Sequence, residues 1–303
     1  MNKKVYNYKF ILFFLLPFFF SGCLSEEEKR EHYKPSFSVI HEKQLIVGVH
    51  PYLNAEKTFL AYQPILTYLE SEIKGVHFTL ETSVDYADYE RKLYEGHFDL
   101  SLPNPYQTLQ SIQHGYRIVA KVKPDSEFRG IIVARKDRYI KTVEQLQGKA
   151  ISFPAPTALA ATMMPKWFLY ERGLNADTQA KPKYVGSQYS SIMNAYSGDT
   201  VAAATWPSPW QTWSSENPEK AKEMELLWET PHLVNNGFVV RGDLDKGIVE
   251  QIVEHLCKLD VNAKTQILLA ATGFEGFEKA TNDTYIPVKE FLIRYDQTIG
   301  LPK

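Results

Sequence analysis

Short apolar runs alternate with amphipathic segments along most of this 303-residue chain, and this alternation limits the folds open to it. Residues 45–49 form a short apolar run, which is typical of a buried strand, and residues 98–102 alternate apolar and polar side chains as another strand would. Between them, residues 62–73 carry apolar side chains at helical spacing and end close to Gly75. Strands that alternate in this way with helices predict an α/β fold with a largely parallel sheet.

The same alternation predicts two lobes. A second set of strands and helices begins around residue 135 and includes a helix at residues 142–147, and the apolar run at residues 239–241 indicates a return to the first set. We therefore expect lobe 1 at residues 44–134 plus 238–303 and lobe 2 at residues 135–237. Two crossing segments would leave a cleft between the lobes. Open α/β sheets bind ligands at the carboxyl ends of their strands, so the loops there are the candidate site.

The first 23 residues have the order of an export signal. Three lysines stand among the first nine residues, residues 10–20 are almost purely apolar, and Ser21 and Gly22 precede Cys23. This order predicts a signal peptide at residues 1–22, since the apolar run is too short to span a bilayer. A cysteine at this place resembles the lipobox of bacterial lipoproteins. That resemblance implies a lipidated Cys23 and a polar, flexible tether at residues 23–43; an ordinary cleaved signal is the alternative.

Charge and cysteine content exclude several classes of protein. The formal net charge is −2, and removal of the three signal lysines lowers it from −2 to −5, so there is no basic surface for nucleic acid. Cys257 is the only other cysteine and lies on an apolar helical face, which predicts a buried thiol. The spacing of cysteines and histidines fits no metal site. We expect a monomer without metal or cofactor.

Four segments carry a resemblance to a known family. They are residues 48–52 (GVHPY), 96–106 (GHFDL followed by PNPY), 146–158 (LQGK followed by PAPTA) and 186–199 (GSQYS followed by GD). Their order and spacing resemble the periplasmic phosphate/phosphite/phosphonate-binding proteins of ABC importers, a branch of the type II solute-binding fold. The resemblance implies two lobes, a hinge, closure on the ligand and delivery to a membrane permease.

The ligand positions of that family are altered here. Where the phosphonate binders open a helix with Ser-Thr-Ser, this chain has Pro156, Thr157 and Ala158, so one hydroxyl remains. Gln188 stands in place of the family's histidine after Gly-Ser, and Trp206 lies near the position of an acidic residue that meets a ligand amine. Thr157 is either a ligand contact or the N-cap of the following helix, which Pro165 kinks or restarts.

Aromatic residues at predicted strand ends complete the candidate site. Tyr52 and Tyr106 map onto the wall of the first lobe, although tyrosines are also ordinary packing residues. Trp206 follows an apolar strand, where its ring could stack on a heterocycle or attract a cation, whereas Trp210 and Trp213 are interpreted as core residues. The predicted ligand-binding set is Tyr52, Asn104, Tyr106, Thr157, Ala158, Gln188 and Trp206.

These observations predict a lipid-anchored solute-binding protein of an ABC importer, with a small oxyanion as ligand and the permease and membrane lipid as partners. A cationic or heteroaromatic solute is the alternative ligand, and a lipoprotein that senses a ligand for a membrane kinase is the alternative role. An enzyme is not expected, because no phosphate loop, nucleophile elbow or paired metal-type histidines occur. The scattered histidines, His50 among them, are interpreted as structural.

Overall fold

The computed structural model describes residues 42–302. The predicted signal peptide, Cys23 and nearly all of the predicted tether lie outside this range. None of the helices within it is long and apolar enough to cross a membrane.

The described residues form two sheets. The first has the order β11-β4-β10-β3-β1-β2 and the second the order β7-β6-β8-β5-β9. The strands are β1 Lys43–Val49, β2 Val76–Glu81, β3 Leu100–Leu102, β4 Tyr116–Lys123, β5 Ile131–Arg135, β6 Ala150–Phe153, β7 Lys181–Tyr184, β8 Ala202–Thr205, β9 Met224–Glu229, β10 Gly237–Arg241 and β11 Gly276–Lys279.

Both sheets are mixed, which corrects the prediction of a largely parallel sheet. Strand β1 is parallel to β2 and β3, but β10 is antiparallel to both β3 and β4, and β11 is antiparallel to β4. In the second sheet β6 is parallel to β7 and β8, whereas β5 is antiparallel to β8 and β9. The cause is the topology: β5 and β10 are each reached by a crossing from the other sheet, and each inserts antiparallel to its neighbours.

Helices cover the sheets. They are α1 Ala55–Glu72, α2 Tyr86–Tyr94, α3 Pro105–Gln113, α4 Met164–Tyr170, α5 Ala176–Gln179, α6 Gln188–Ser197, α7 Pro207–Glu216, α8 Pro218–Lys222, α9 Lys246–Leu256, α10 Ala263–Gln266 and α11 Ile286–Thr298. The helix predicted at residues 142–147 is a single 3₁₀ turn, Val143–Leu146, held by a capping box between Thr142 and Gln145.

Two crossing segments, residues 124–130 and residues 230–236, join the sheets and run side by side. Gly130 and Thr230 exchange two hydrogen bonds: the Gly130 N–H donates to the Thr230 hydroxyl at 2.9 Å, and the Thr230 N–H donates to the Gly130 carbonyl at 2.9 Å. Asn235 donates its backbone N–H to Asp125 at 2.9 Å. The first crossing ends before β5, so the chain enters the second sheet a few residues ahead of the predicted lobe boundary at residue 135. Paired crossings of this kind are suited to act as a hinge.

The packing of the core ties the two sheets together. Two smaller apolar clusters lie on either face of the second sheet. The largest cluster fills the first sheet and its helices and also takes in residues 155–164 and Trp206, which follow strands of the second sheet. The facing sides of the two lobes are therefore in contact in this structure.

Candidate functional site

A small cavity lies where strands of both sheets end. Its volume is about 10 Å³, the space of one water molecule. His50 follows β1, Asn104 follows β3, Ala158 follows β6 and Trp206 follows β8. The site therefore lies at the carboxyl ends of strands, as expected for open α/β sheets. The residues that line it are His50, Tyr86, Asn104, Phe128, Ala158, Leu159, Ala160, Ala161, Gln188 and Trp206.

The start of a helix forms one wall of the cavity. A π-helical turn, Leu159–Met163, runs directly into α4, and Pro165 lies in the first turn of α4, where a missing N–H is tolerated. Ala158 is the N-cap and has no side chain that could cap the helix. The first N–H groups of a helix have no intrahelical acceptor and carry a partial positive charge. Leu159, Ala160 and Ala161 bring such groups to the cavity.

Gly130 allows this helix start to approach the crossing segment closely. A Cβ at residue 130 would lie 2.5 Å from the Ala160 carbonyl oxygen and 2.7 Å from Pro165 Cδ, far inside contact distance. The hinge region and the helix start are therefore in direct contact, and only glycine fits between them.

His50 is buried and uncharged. Its Nδ1 lies 2.8 Å from the Leu102 carbonyl oxygen, and since a carbonyl only accepts, we assign the proton to Nδ1. The ring stacks on Tyr52 with centroids 5.1 Å apart, and the edges of Tyr86 and Tyr89 close the other side. Burial lowers the pKa of His50 to about 4, although the bond to Leu102 opposes the shift. The imidazole is therefore neutral at physiological pH and leaves a lone pair on Nε2.

Gln188 and Tyr86 meet across the cleft. The Gln188 amide is oriented by the Thr205 hydroxyl, which donates to Oε1 at 2.8 Å, and Nε2 then donates to the Tyr86 hydroxyl at 3.2 Å. Because that hydroxyl accepts from Gln188, its own proton is free to be donated. Burial raises the pKa of Tyr86, so this donor stays protonated.

Asn104 also connects the lobes. Its Oδ1 caps α3 by accepting from the N–H groups of Tyr106 and Gln107, and its Nδ2 donates to the Thr157 carbonyl at 3.1 Å. The Gln107 side chain completes a capping box with the Asn104 backbone. The Gln107 side-chain amide nitrogen also donates to Glu90, which fixes the N-terminal end of α3 against α2.

Aromatic rings form the remaining wall. Trp206 lies 5.8 Å from Phe128 and 5.7 Å from Tyr52, measured between ring centroids, and Phe274 packs behind it at 6.3 Å. Trp206 is almost fully buried. Trp210 and Trp213 stack on each other at 5.4 Å, and Trp213 belongs to the core of the second sheet.

The cavity carries no formal charge. None of its lining residues, all within residues 42–302, is a lysine, arginine, aspartate or glutamate. Glu90 is the carboxylate bonded to residues beside the cavity, and burial raises its pKa while hydrogen bonds from Thr157 and Gln107 oppose the shift. The cavity therefore offers a ligand neutral donors, a helix start and aromatic rings.

The structure brings four of the predicted site residues to the cavity: Asn104, Ala158, Gln188 and Trp206. Tyr52 packs one layer behind, where its hydroxyl donates to the Thr272 carbonyl and accepts from Tyr62, each at 2.8 Å. Tyr106 is buried within α3 and contributes its backbone N–H to the cap. Thr157 does not line the cavity, and its carbonyl accepts from the Asn104 amide.

Two interpretations of single residues need correction. Thr157 is not the N-cap of the following helix, because it lies in a turn closed by the Ala158 N–H and the Ala155 carbonyl, and the helix begins at Leu159 with Ala158 as its N-cap. His50 was interpreted as one of several structural histidines, but it lines the cavity. The rule that singled out Tyr52 and Trp206, a position just after a strand, applies equally to His50. Tyr86, Phe128 and residues 159–161 carried no such signal.

Two α/β lobes, two paired crossings and a polar cavity at strand ends define a solute-binding protein of the two-lobe, type II class. The model of the family described as "ABC transporter, phosphonate, periplasmic substrate-binding protein" matches residues 47–285. The chain belongs to this family of periplasmic binding components of ABC transporters for phosphonate-like ligands. The family consists of solute-binding proteins, and its membership confirms the prediction that this chain is not an enzyme.

Individual relatives are distant in sequence and close in fold. A probable ABC transporter phosphite-binding protein, PhnD1 of Prochlorococcus marinus, is 25% identical over 186 residues, which cover 57% of this chain and 63% of that protein's length. The phosphonates-binding periplasmic protein of Escherichia coli is 18% identical over 276 residues, or 86% of this chain and 79% of that protein.

Solved structures confirm the predicted fold class. PhnD1 of Prochlorococcus marinus in complex with methylphosphonate has a TM-score of 0.77 at 20% identity, covering 84% of this chain and 99% of that one. A binding-protein component of an ABC phosphonate transporter from Pseudomonas aeruginosa also has a TM-score of 0.77, at 14% identity, covering 85% and 88%.

Proposed function

We propose that this protein is the lipid-anchored binding component of an ABC importer, which closes on a small phosphonate-like oxyanion and delivers it to a membrane permease. The observation that carries this proposal is the helix start at residues 159–161, whose N–H groups have no intrahelical acceptor and which lines a cavity at the carboxyl ends of strands. Such a helix start is a general site for anions.

Neutral donors surround the position that an oxyanion would take. The helix supplies backbone N–H groups, and Tyr86 supplies a hydroxyl proton from the opposite lobe. The faces of Phe128 and Trp206 suit an apolar substituent, such as the methyl group of methylphosphonate. Methylphosphonate, the ligand in the structure of the similar protein from Prochlorococcus marinus, has these two features, an oxyanion and a carbon substituent.

Hydrogen bonds and an ion pair across the cleft support closure of the two lobes on a ligand. The Tyr86–Gln188 and Asn104–Thr157 hydrogen bonds join side chains and backbone of different lobes, and Lys57 of α1 pairs with Glu216 of α7 at 2.6 Å. A cavity of about 10 Å³ is too small for a phosphonate, so the lobes must separate about the crossings to admit one.

A cationic or heteroaromatic solute is the second candidate, because Trp206 lies in the cavity wall. A buried cation needs a carboxylate partner. The lining residues supply none, and the Glu90 carboxylate is already bonded to Gln107 and Thr157. The balance of donors therefore favours the oxyanion.

A thermal-shift panel on the exported chain, with Cys23→Ser to prevent acylation, tests the ligand class. We expect methylphosphonate or phosphite to raise the unfolding midpoint, since a ligand at a hundredfold excess over its dissociation constant stabilises the native state by about 2.7 kcal/mol. Betaine and thiamine serve as the cationic comparison. Stabilisation by these alone would contradict the oxyanion assignment.

The anchor and the role need separate tests. Mass spectrometry of the exported protein should find a diacylglycerol-type mass increase on Cys23, and Cys23→Ser should release the protein from the membrane. Uptake of radiolabelled ligand by cells should depend on this chain. Unchanged uptake in its absence would favour the sensing role over transport.

A further inference from the structure

Most polar atoms around the cavity are donors or are already satisfied. The Gln188 carbonyl oxygen accepts from Thr205, and the Asn104 carbonyl oxygen accepts from two backbone N–H groups of α3. The Ala158 carbonyl accepts from the N–H groups of Thr162 and Met163. An oxyanion in the cavity would therefore meet few groups able to accept a hydrogen bond from it.

His50 is the exception. Its Nδ1 proton is directed to Leu102, and within residues 42–302 no protein group is hydrogen-bonded to its Nε2. A neutral imidazole with its proton on Nδ1 carries a lone pair on Nε2 and can only accept there. The strand end at β1 thus presents a single acceptor among the donors of the site.

We infer that the site takes its oxyanion in the singly protonated form, with the ligand O–H donating to Nε2 of His50. This inference rests on the proposed function and specifies the ligand further: an acid that keeps one O–H while carrying one negative charge. Phosphonates and phosphite have such a form near neutral pH, whereas sulfonates lose their last proton and have none.

Electrostatics supports this choice. A fully ionised ligand would direct an oxygen lone pair at the lone pair of Nε2, and its second charge would be buried in a cavity whose lining has no lysine or arginine. The monoanion avoids both penalties. Its one charge is matched by the helix start and by the Tyr86 hydroxyl, and its proton satisfies His50.

The groups that face His50 do not alter this argument. Tyr52 from its own loop and Tyr86 and Tyr89 from α2 surround the ring, and burial raises the pKa of all three phenols, so they stay neutral. From the second lobe the cavity receives only uncharged residues. Burial also lowers the pKa of His50 itself, which keeps Nε2 unprotonated over the range tested below.

The test is calorimetric titration of the exported chain carrying Cys23→Ser, from pH 6 to pH 8.5, with methylphosphonate and with methanesulfonate. The two probes match in shape and in the charge of the bound form, and only the first keeps an O–H. Above the second pKa of methylphosphonate, we expect its apparent affinity to fall about tenfold per pH unit. Titrations in buffers of different ionisation enthalpy should then show uptake of a proton on binding. Methanesulfonate should bind weakly and without pH dependence.

A variant separates His50 from the rest of the site. His50→Phe removes the acceptor, so the preference for methylphosphonate over methanesulfonate at pH 6, at least about tenfold in the unaltered chain, should disappear. This ratio cancels any general loss of affinity, and if the variant does not fold, the pH profile of the unaltered chain still decides. Affinity for methylphosphonate that rises or stays level with pH would overturn the inference. If neither anion binds, the proposed function itself fails, and the inference falls with it.

Discussion

His50 shows how one residue can join the core to the site. It is held by Leu102 on one side and by stacked tyrosine rings on the others, as a structural histidine would be, yet it also lines the cavity. From the sequence a lone histidine is more often structural, and only its position after β1 indicates a second role. Tyr52 and Trp206 were predicted as site residues because they follow strands, and the structure shows that His50, which also follows a strand, lines the cavity.

The lowered pKa of His50 predicts a dependence of stability on pH. Burial lowers this pKa from 6.5 to about 4, so the unfolded chain binds more protons than the folded one between these values. Stability from this group is complete above pH 6.5 and is lost as the pH falls to about 4, by roughly 3 kcal/mol. Chemical denaturation of the unaltered chain and of His50→Phe across this range measures it. An equal slope in the two proteins would contradict the shift.

Asn104 combines capping with the cleft, and a conservative substitution separates the two. Asn104→Asp keeps an oxygen for the N–H groups of Tyr106 and Gln107 but replaces the donor to Thr157 with a carboxylate in the cavity lining. We expect the free energy of unfolding to fall by about 1–3 kcal/mol, because the buried carboxylate loses the bond to Thr157, although aspartate still caps the helix. Affinity for methylphosphonate should fall at least about tenfold through repulsion.

Asn262→Asp is the matched control for that substitution. Asn262 caps α10 through two backbone N–H groups in the same way, but it is exposed and does not line the cavity. Its replacement should leave the affinity unchanged, as measured by the same calorimetric titration. An equal loss of affinity in both variants would show that the effect of Asn104→Asp is not local to the cleft.

At the scale of elements, the sequence predicts which segments are strands better than it predicts how they pair. Most strand positions follow from short apolar runs, whereas the antiparallel insertion of β5 and β10 depends on partners that are distant in the chain. The π-helical turn before α4 was not predicted either. Pro165 indicated an interruption, but the turn also depends on the contact with Gly130, which no local pattern reveals.

The contact between the first crossing and the helix start predicts the effect of a single methyl group. Gly130→Ala would place Cβ against the Ala160 carbonyl and the Pro165 ring, so the helix start must move. We expect a loss of about 1–3 kcal/mol in the free energy of unfolding, typical of overpacking, together with weaker binding of methylphosphonate. Gly247→Ala, in the first turn of α9, is the control: its Cβ would lie 3.3 Å from the Asp245 carboxylate, so we expect a smaller change in stability than for Gly130→Ala and no change in affinity. Unchanged affinity in Gly130→Ala would contradict the link between hinge and site.

At the scale of the whole molecule, the sequence predicts two lobes and a cleft, because alternation and the return strand are properties of the complete chain. It does not predict which side chains meet across the cleft. Tyr86 and Gln188 are separated by 102 residues, and their contact exists only because the crossings bring the lobes together. Four of the ten lining residues were predicted from strand ends and from the family resemblance, namely Asn104, Ala158, Gln188 and Trp206, and the rest required the contact between the lobes.

The ion pair between Lys57 of α1 and Glu216 of α7 predicts a small effect on closure. Lys57 and Glu216 are partly exposed, so their attraction is screened and contributes at most about 1 kcal/mol. Glu216→Gln should weaken methylphosphonate binding by less than about fivefold, with the loss shrinking at high salt. Calorimetry at two ionic strengths measures this. A loss of a hundredfold or more would mean that this ion pair, rather than the cavity, carries the binding energy.

The central claim is that a neutral cavity at the helix start binds a phosphonate-like oxyanion as the lobes close. The most direct measurement is small-angle X-ray scattering of the exported chain, with Cys23→Ser, titrated with methylphosphonate and, separately, with betaine. We predict a saturable decrease in the radius of gyration with methylphosphonate and no change with betaine. A decrease with betaine alone would contradict the account and would make the aromatic wall at Trp206 the centre of the site.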